Sequence, residues 1–84
     1  MQNGAQRKLK AVRTDEAARI LGINLITLYR RIYRGDQAAK KQGDRWQVFL
    51  WEYTVPGSPP VYTALTRDEA IAQFGRDFVT IVGE

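Results

Sequence analysis

The chain contains no cysteine and no histidine. Without cysteine, neither a disulfide framework nor a thiolate metal site can hold the fold. Without histidine, the commonest general base and the commonest metal ligand are both missing. No apolar run approaches the roughly 20 residues of a membrane span. Residues 1–10 are polar and basic and lack the apolar stretch of a secretory signal. No glycine-rich phosphate loop, serine-nucleophile arrangement or metal-ligand cluster is visible. Asp68-Glu69 is only superficially an acid pair, because helix N-terminal charge explains it. These absences lead us to expect no enzymatic activity, no cofactor and no membrane association. A soluble, cytoplasmic protein is the plain expectation.

What is present fits one small domain: 84 residues, 44% of them hydrophobic, enough for a single core. The formal charge of +4 is unevenly spread. Residues 1–53 carry eleven Lys or Arg against five Asp or Glu, whereas residues 54–84 carry two against four. A positive surface attracts phosphate by releasing condensed counterions. Charge of this size fits equally well with a solvated basic surface.

Residues 1–10 read as a flexible basic tail (Arg7, Lys8, Lys10), followed by a short extended lead-in over 11–13. Thr14 is suited to cap a helix whose first turn holds Asp15 and Glu16. Ala17, Ala18, Ile20 and Leu21 give it an apolar face, and Gly22 ends it. Asn24 caps a second helix, Leu25 to Arg34, closed by Gly35. There Leu28 and Ile32 share a face, Tyr29 and Tyr33 flank them at the core edge, and Thr27, Arg30, Arg31 and Arg34 fill the remaining arc. Both helices are too short to stand alone, so they must pack together through Ala17, Ile20, Leu21, Leu28 and Ile32.

A hairpin follows, with strands over 37–41 and 46–53 joined by Gln42-Gly43-Asp44-Arg45. In its second strand Trp46, Val48 and Leu50 point one way. Gln47, Phe49, Trp51 and Tyr53 point the other, so both faces need cover. Residues 55–60, rich in Pro and Gly, break the pattern. Beyond them we expect a short strand from Val61, a helix capped by Thr66 with Glu69 three residues on, its end at Gly75, and a last strand over 78–82.

Two short helices meeting at a glycine corner, the second rich in arginine, form a simple device for placing side chains in a DNA major groove. The segment from about Val12 to Val48 resembles the excisionase-like and MerR-like winged helix-turn-helix modules of bacteria and phages. The matching residues are Asp15-Glu16-Ala17-Ala18 with Leu21-Gly22 and the small polar cap Asn24. Thr27, Leu28, Tyr29 and Arg30 match the second helix, Gly35-Asp36 its end, and Lys41, Gly43 and Arg45-Trp46 the wing. The resemblance implies that the second helix enters the major groove and the hairpin rests on the backbone. It implies an α+β fold: a small winged helix-turn-helix module over 11–55, with a C-terminal strand-helix-strand extension over 56–84 serving either dimerisation or core covering.

The implied DNA-binding residues are Asn24, Leu25, Ile26, Thr27, Tyr29, Arg30, Arg31 and Arg34, with Lys40, Lys41 and Arg45 on the wing. Arginine at position 30 can grip guanine O6 and N7. Leu25 and Ile26 depart from the family pattern, which is usually polar there; they either touch thymine methyl groups or form a protein interface. The expected partner is double-stranded DNA, bound by a homodimer or a cooperative array. The roles implied are excisionase (recombination directionality factor), transcriptional regulator or small subunit of a phage DNA-packaging machine. The rival from another class is a protein-interaction module using Leu25/Ile26 and Phe49/Trp51 as apolar surfaces.

Overall fold

The computed structural model describes residues 6–82. Its elements, in chain order, are β1 (Gln6–Arg13), α1 (Thr14–Leu21), α2 (Leu25–Arg34), β2 (Ala39–Gln42), β3 (Arg45–Thr54), β4 (Val61–Ala64) and α3 (Arg67–Phe74), followed by a 3₁₀ turn at Arg76–Phe78. The described residues thus form a small α+β fold of three α-helices on a four-stranded antiparallel sheet.

β3 is the axis of the sheet. β1 lies along one side of it, from Gln6 opposite Thr54 to Arg13 opposite Gln47. The other side is shared: β2 pairs with the start of β3, Ala39 opposite Val48, and β4 with its end, Leu50 opposite Ala64. Alternation of side chains then makes two cores. Val48 and Leu50, with Val12 of β1 and Ala39 of β2, meet Ala17 and Ala18 of α1 and Leu28 and Ile32 of α2. Phe49 and Trp51 meet Ala38, Leu65, Ala70 and Val79 on the opposite face. Aromatic rings fill this second core, with Phe78 centred 4.4 Å from Phe49 and 4.7 Å from Phe74, and Phe74 6.1 Å from Trp51.

The segment after residue 56 therefore covers a core. Phe49 and Trp51 are about 5% and 6% exposed beneath it. The apolar docking surface expected from these two residues does not exist on this molecule.

Several boundaries differ from the sequence expectation. The basic tail is strand from Gln6 onward, held by the β3 ladder; residues 1–5 lie outside the described part. Thr14 is the first residue of α1, and the cap position falls on Arg13, which makes no side-chain cap bond. The hairpin strands are Ala39–Gln42 and Arg45–Thr54, because Gln37 is used otherwise. The last strand expected over 78–82 is absent. The chain there forms the 3₁₀ turn and then touches β2 through the Thr80 amide on the Ala39 carbonyl (2.9 Å) and the Lys41 amide on Thr80 Oγ1 (2.8 Å).

The remaining caps form as expected. Asn24 Oδ1 accepts from the Thr27 amide at 2.8 Å, and Thr66 Oγ1 from the Glu69 amide at 3.1 Å. Gly22 and Gly35 end α1 and α2 at φ of +70° and +87°. No helix among the described residues is long and apolar enough to cross a membrane.

Candidate nucleic-acid interface

α2 owes its orientation to Leu28 and Ile32, which are 0% and 2% exposed against the sheet and α1. Fixing that face inward turns the opposite one outward. Leu25, Ile26, Arg30, Tyr33 and Arg34 are all exposed, and Ile26, Arg30 and Tyr33 follow one another at spacings of four and three along a single stripe. The helix carries three arginines and no acidic residue.

The exposed side chains are not equally available. Arg34 is held by Asp36 at 3.1 Å. Arg30 is exposed and belongs to none of the ion pairs among the described residues. Thr27 and Arg31 are half-buried, as is Tyr29, which packs against the first core. Asn24 is exposed, but its Oδ1 is spent on the cap. Tyr33, expected at the core edge with Tyr29, is 54% exposed and joins the outward stripe. Its place three residues beyond Arg30 was the signal for this.

The hairpin β2–β3 turns at Gly43 with φ +63°. Its cations divide between the two sheet faces. Lys41 stands opposite Trp46, on the side of α1 and α2, its ammonium 5.8 Å from the indole centre. Lys40 pairs with Gln47 and Gln42 with Arg45, so Lys40 and Arg45 fall on the α3 side by alternation.

Between the hairpin and the β1–α1 corner lies an open cleft of about 750 Å³, bordered by Tyr29 and Trp46. Its charged lining is mixed: Arg13 and Arg45 against Asp15, Glu16 and Asp44, with Arg13 and Asp15 paired at 3.5 Å. Such a lining does not favour a phosphate, so the cationic surface centres on α2 and the hairpin strands.

Two cations of β1 are engaged by β3. The Arg7 guanidinium lies 4.0 Å over the Trp51 ring, and Lys8 pairs with Glu52 at 3.4 Å. Glu52 is buried and also accepts from the Tyr62 hydroxyl at 2.7 Å. That hydrogen bond, opposed by burial and aided by Lys8, holds the Glu52 carboxyl below its ordinary range. The same bond holds the Tyr62 phenol above its ordinary value. A carboxylate inside an apolar strand was visible in the sequence; its partners on two other strands were not.

Neither the protein-family models, the curated proteins nor the solved structures compared with this chain give a match.

Proposed function

We propose that this chain is a winged helix-turn-helix protein that binds double-stranded DNA, with α2 in the major groove and the β2–β3 hairpin as the wing on the backbone. The observation that carries the reading is the polarity of α2: Leu28 and Ile32 buried, Ile26, Arg30, Tyr33 and Arg34 outward, and no carboxylate on the helix. A rod with one apolar face seated and Arg30 presented on the other, with no acidic residue on the helix, suits a polyanion. Arg30 is assigned to bases, since it is exposed and belongs to none of the ion pairs among the described residues. Arg34 and Lys41, the wing cation on the side of α2, are assigned to phosphates, whereas Lys40 and Arg45 fall on the α3 side and are given no contact. Asn24, Thr27, Tyr29 and Arg31 are secondary contacts at the margins of the helix.

One such module buries little surface and reads few base pairs, so a homodimer or cooperative array supplies useful specificity. Within this reading the protein serves as an excisionase-type directionality factor or a transcriptional regulator in a bacterial or phage cytoplasm; a DNA-packaging subunit uses the same module. The second reading, a protein-interaction module, draws on the exposure of Leu25 and Ile26 alone, now that Phe49 and Trp51 are covered.

Selection of bound duplexes from a random pool tests the proposal. On the selected site Arg30→Ala is expected to cost roughly 1–3 kcal/mol and to relax sequence preference. Arg34→Ala is expected to weaken all duplexes alike. Recovery of no enriched sequence, or an Arg30→Ala protein with unchanged preference, contradicts the assignment.

A further inference from the structure

The leading turn of α2 exposes aliphatic side chains where a groove-reading helix needs chemistry. Ile26 is 67% exposed and Leu25 42%, while the apolar demand of the core is met on the other face by Leu28 and Ile32. Neither side chain can donate or accept a hydrogen bond. Along the base edges of the major groove, the apolar group on offer is the C5-methyl of thymine.

Charge identifies the occupant. The patch sits one turn before Arg30, which is exposed and in none of the ion pairs among the described residues, on a helix without an acidic residue, so whatever covers it must tolerate a positive charge beside it. A duplex does so through its phosphates. Geometry adds a spacing. Ile26 and Arg30 are one turn apart, about 6 Å along the helix axis at 1.5 Å per residue. Base pairs rise about 3.4 Å each.

Resting on the reading of α2 as the groove helix, we propose that Leu25 and Ile26 recognise thymine through its C5-methyl group, one to two base-pair steps from a guanine held by Arg30. Leu25, Ile26 and Arg30 set specificity; the cations assigned to phosphates set affinity.

The experiment uses the full chain and the tightest duplex from a random-pool selection, together with copies in which each thymine in turn is replaced by deoxyuridine. That replacement removes the methyl and leaves the hydrogen-bonding edges intact. At one thymine near a guanine the loss is expected to be roughly four-fold, the worth of one buried methyl-sized group. Ile26→Ala removes an exposed side chain, so the protein keeps its fold, and it is expected to lose most of the difference between the thymine and deoxyuridine duplexes.

Affinity unchanged by deoxyuridine at every position, with normal salt-sensitive binding, overturns the inference while leaving the DNA reading intact. So does an Ile26→Ala protein that keeps the full deoxyuridine loss. Methyl-insensitive binding joined to a solution mass that falls on Ile26→Ala assigns the patch to a protein contact, which also overturns it. Failure to capture any duplex at low salt instead sinks the DNA reading on which the inference rests.

Discussion

Gly22 and Gly35 close their helices in the same left-handed conformation, yet their surroundings differ. A Cβ on Gly22 would meet nothing within 4 Å, whereas one on Gly35 would lie 2.9 Å from the Arg67 guanidinium. Alanine at either site is expected to cost about 1–2 kcal/mol, from the left-handed backbone alone. The guanidinium is the movable end of its side chain, so the excess at position 35 should be small and should vanish in an Arg67→Ala background. Urea midpoints of the four variants measure this; a neutral Gly35→Ala contradicts it. Both glycines were legible in the sequence, because a helix-ending glycine is a local signal. The approach of Arg67 was not, since it depends on where α3 docks.

Glu52 links stability to pH. Its folded-state pKa lies below the unfolded one, chiefly through the Tyr62 hydroxyl. It therefore contributes stability that is present above the unfolded carboxylate range and lost as pH falls through the folded value. Tyr62 has the opposite sign: its contribution is present below the ordinary phenol value and lost as pH rises through the raised one. We expect Tyr62→Phe to lose less stability on acidification than the unaltered protein, by denaturant titration across the acid range. Equal acid sensitivity of the two proteins rules this linkage out.

Among the elements, Gln37 performs a task that strand periodicity does not announce. It is 1% exposed, and its Nε2 donates to the carbonyls of Phe49 at 2.6 Å, Ala38 at 2.9 Å and Leu65 at 3.4 Å. These lie where β2 and β4 part along the same side of β3, so one amide closes the gap in the sheet. Its orientation follows from its acceptors, since a flipped amide would set oxygen against three carbonyls. Gln37→Leu, similar in volume, is expected to cost roughly 1–3 kcal/mol, chiefly through the Phe49 carbonyl, since the Ala38 and Leu65 carbonyls also accept from the Phe49 and Ala38 amides. Gln37→Glu should cost more at neutral pH, because a carboxylate replaces the donor. A stability equal to the parent for either variant contradicts the role.

The same scale shows which elements could be read ahead. α2 and α3 were legible from Asn24 and Thr66, whose cap bonds span three residues. β1 was not, because residues 6–10 become strand only through eight-residue pairing with β3, and nothing local distinguishes Lys8 and Lys10 from a tail. The segment over 78–82 failed for the converse reason. Its alternation suits a strand, but after Gly75, at φ +101°, the chain makes a 3₁₀ turn that stacks Phe78 on Phe74.

Across the whole molecule, β3 explains the architecture: ten residues, apolar on both faces, demand a layer on each side. The sequence showed that demand, and the C-terminal segment meets it. The arrangement leaves the charged side chains of α2 on one outer layer, while the acid-rich segment after residue 54 serves the other. Of the candidate site, the outward place of Arg30 and Arg34 was legible from helical periodicity, whereas the exposure of Tyr33 and the half-burial of Thr27 and Arg31 were not. The split of the wing cations and the retention of Arg7 and Lys8 by Trp51 and Glu52 required the sheet register.

The most direct measurement is the affinity of the full chain for a random-sequence duplex as a function of salt. Each neutralised phosphate contributes about −0.9 to the log–log slope. With contacts from α2 and the wing, a slope of about −3 or steeper is expected. No detectable binding at low salt, or an affinity indifferent to salt, would contradict the account.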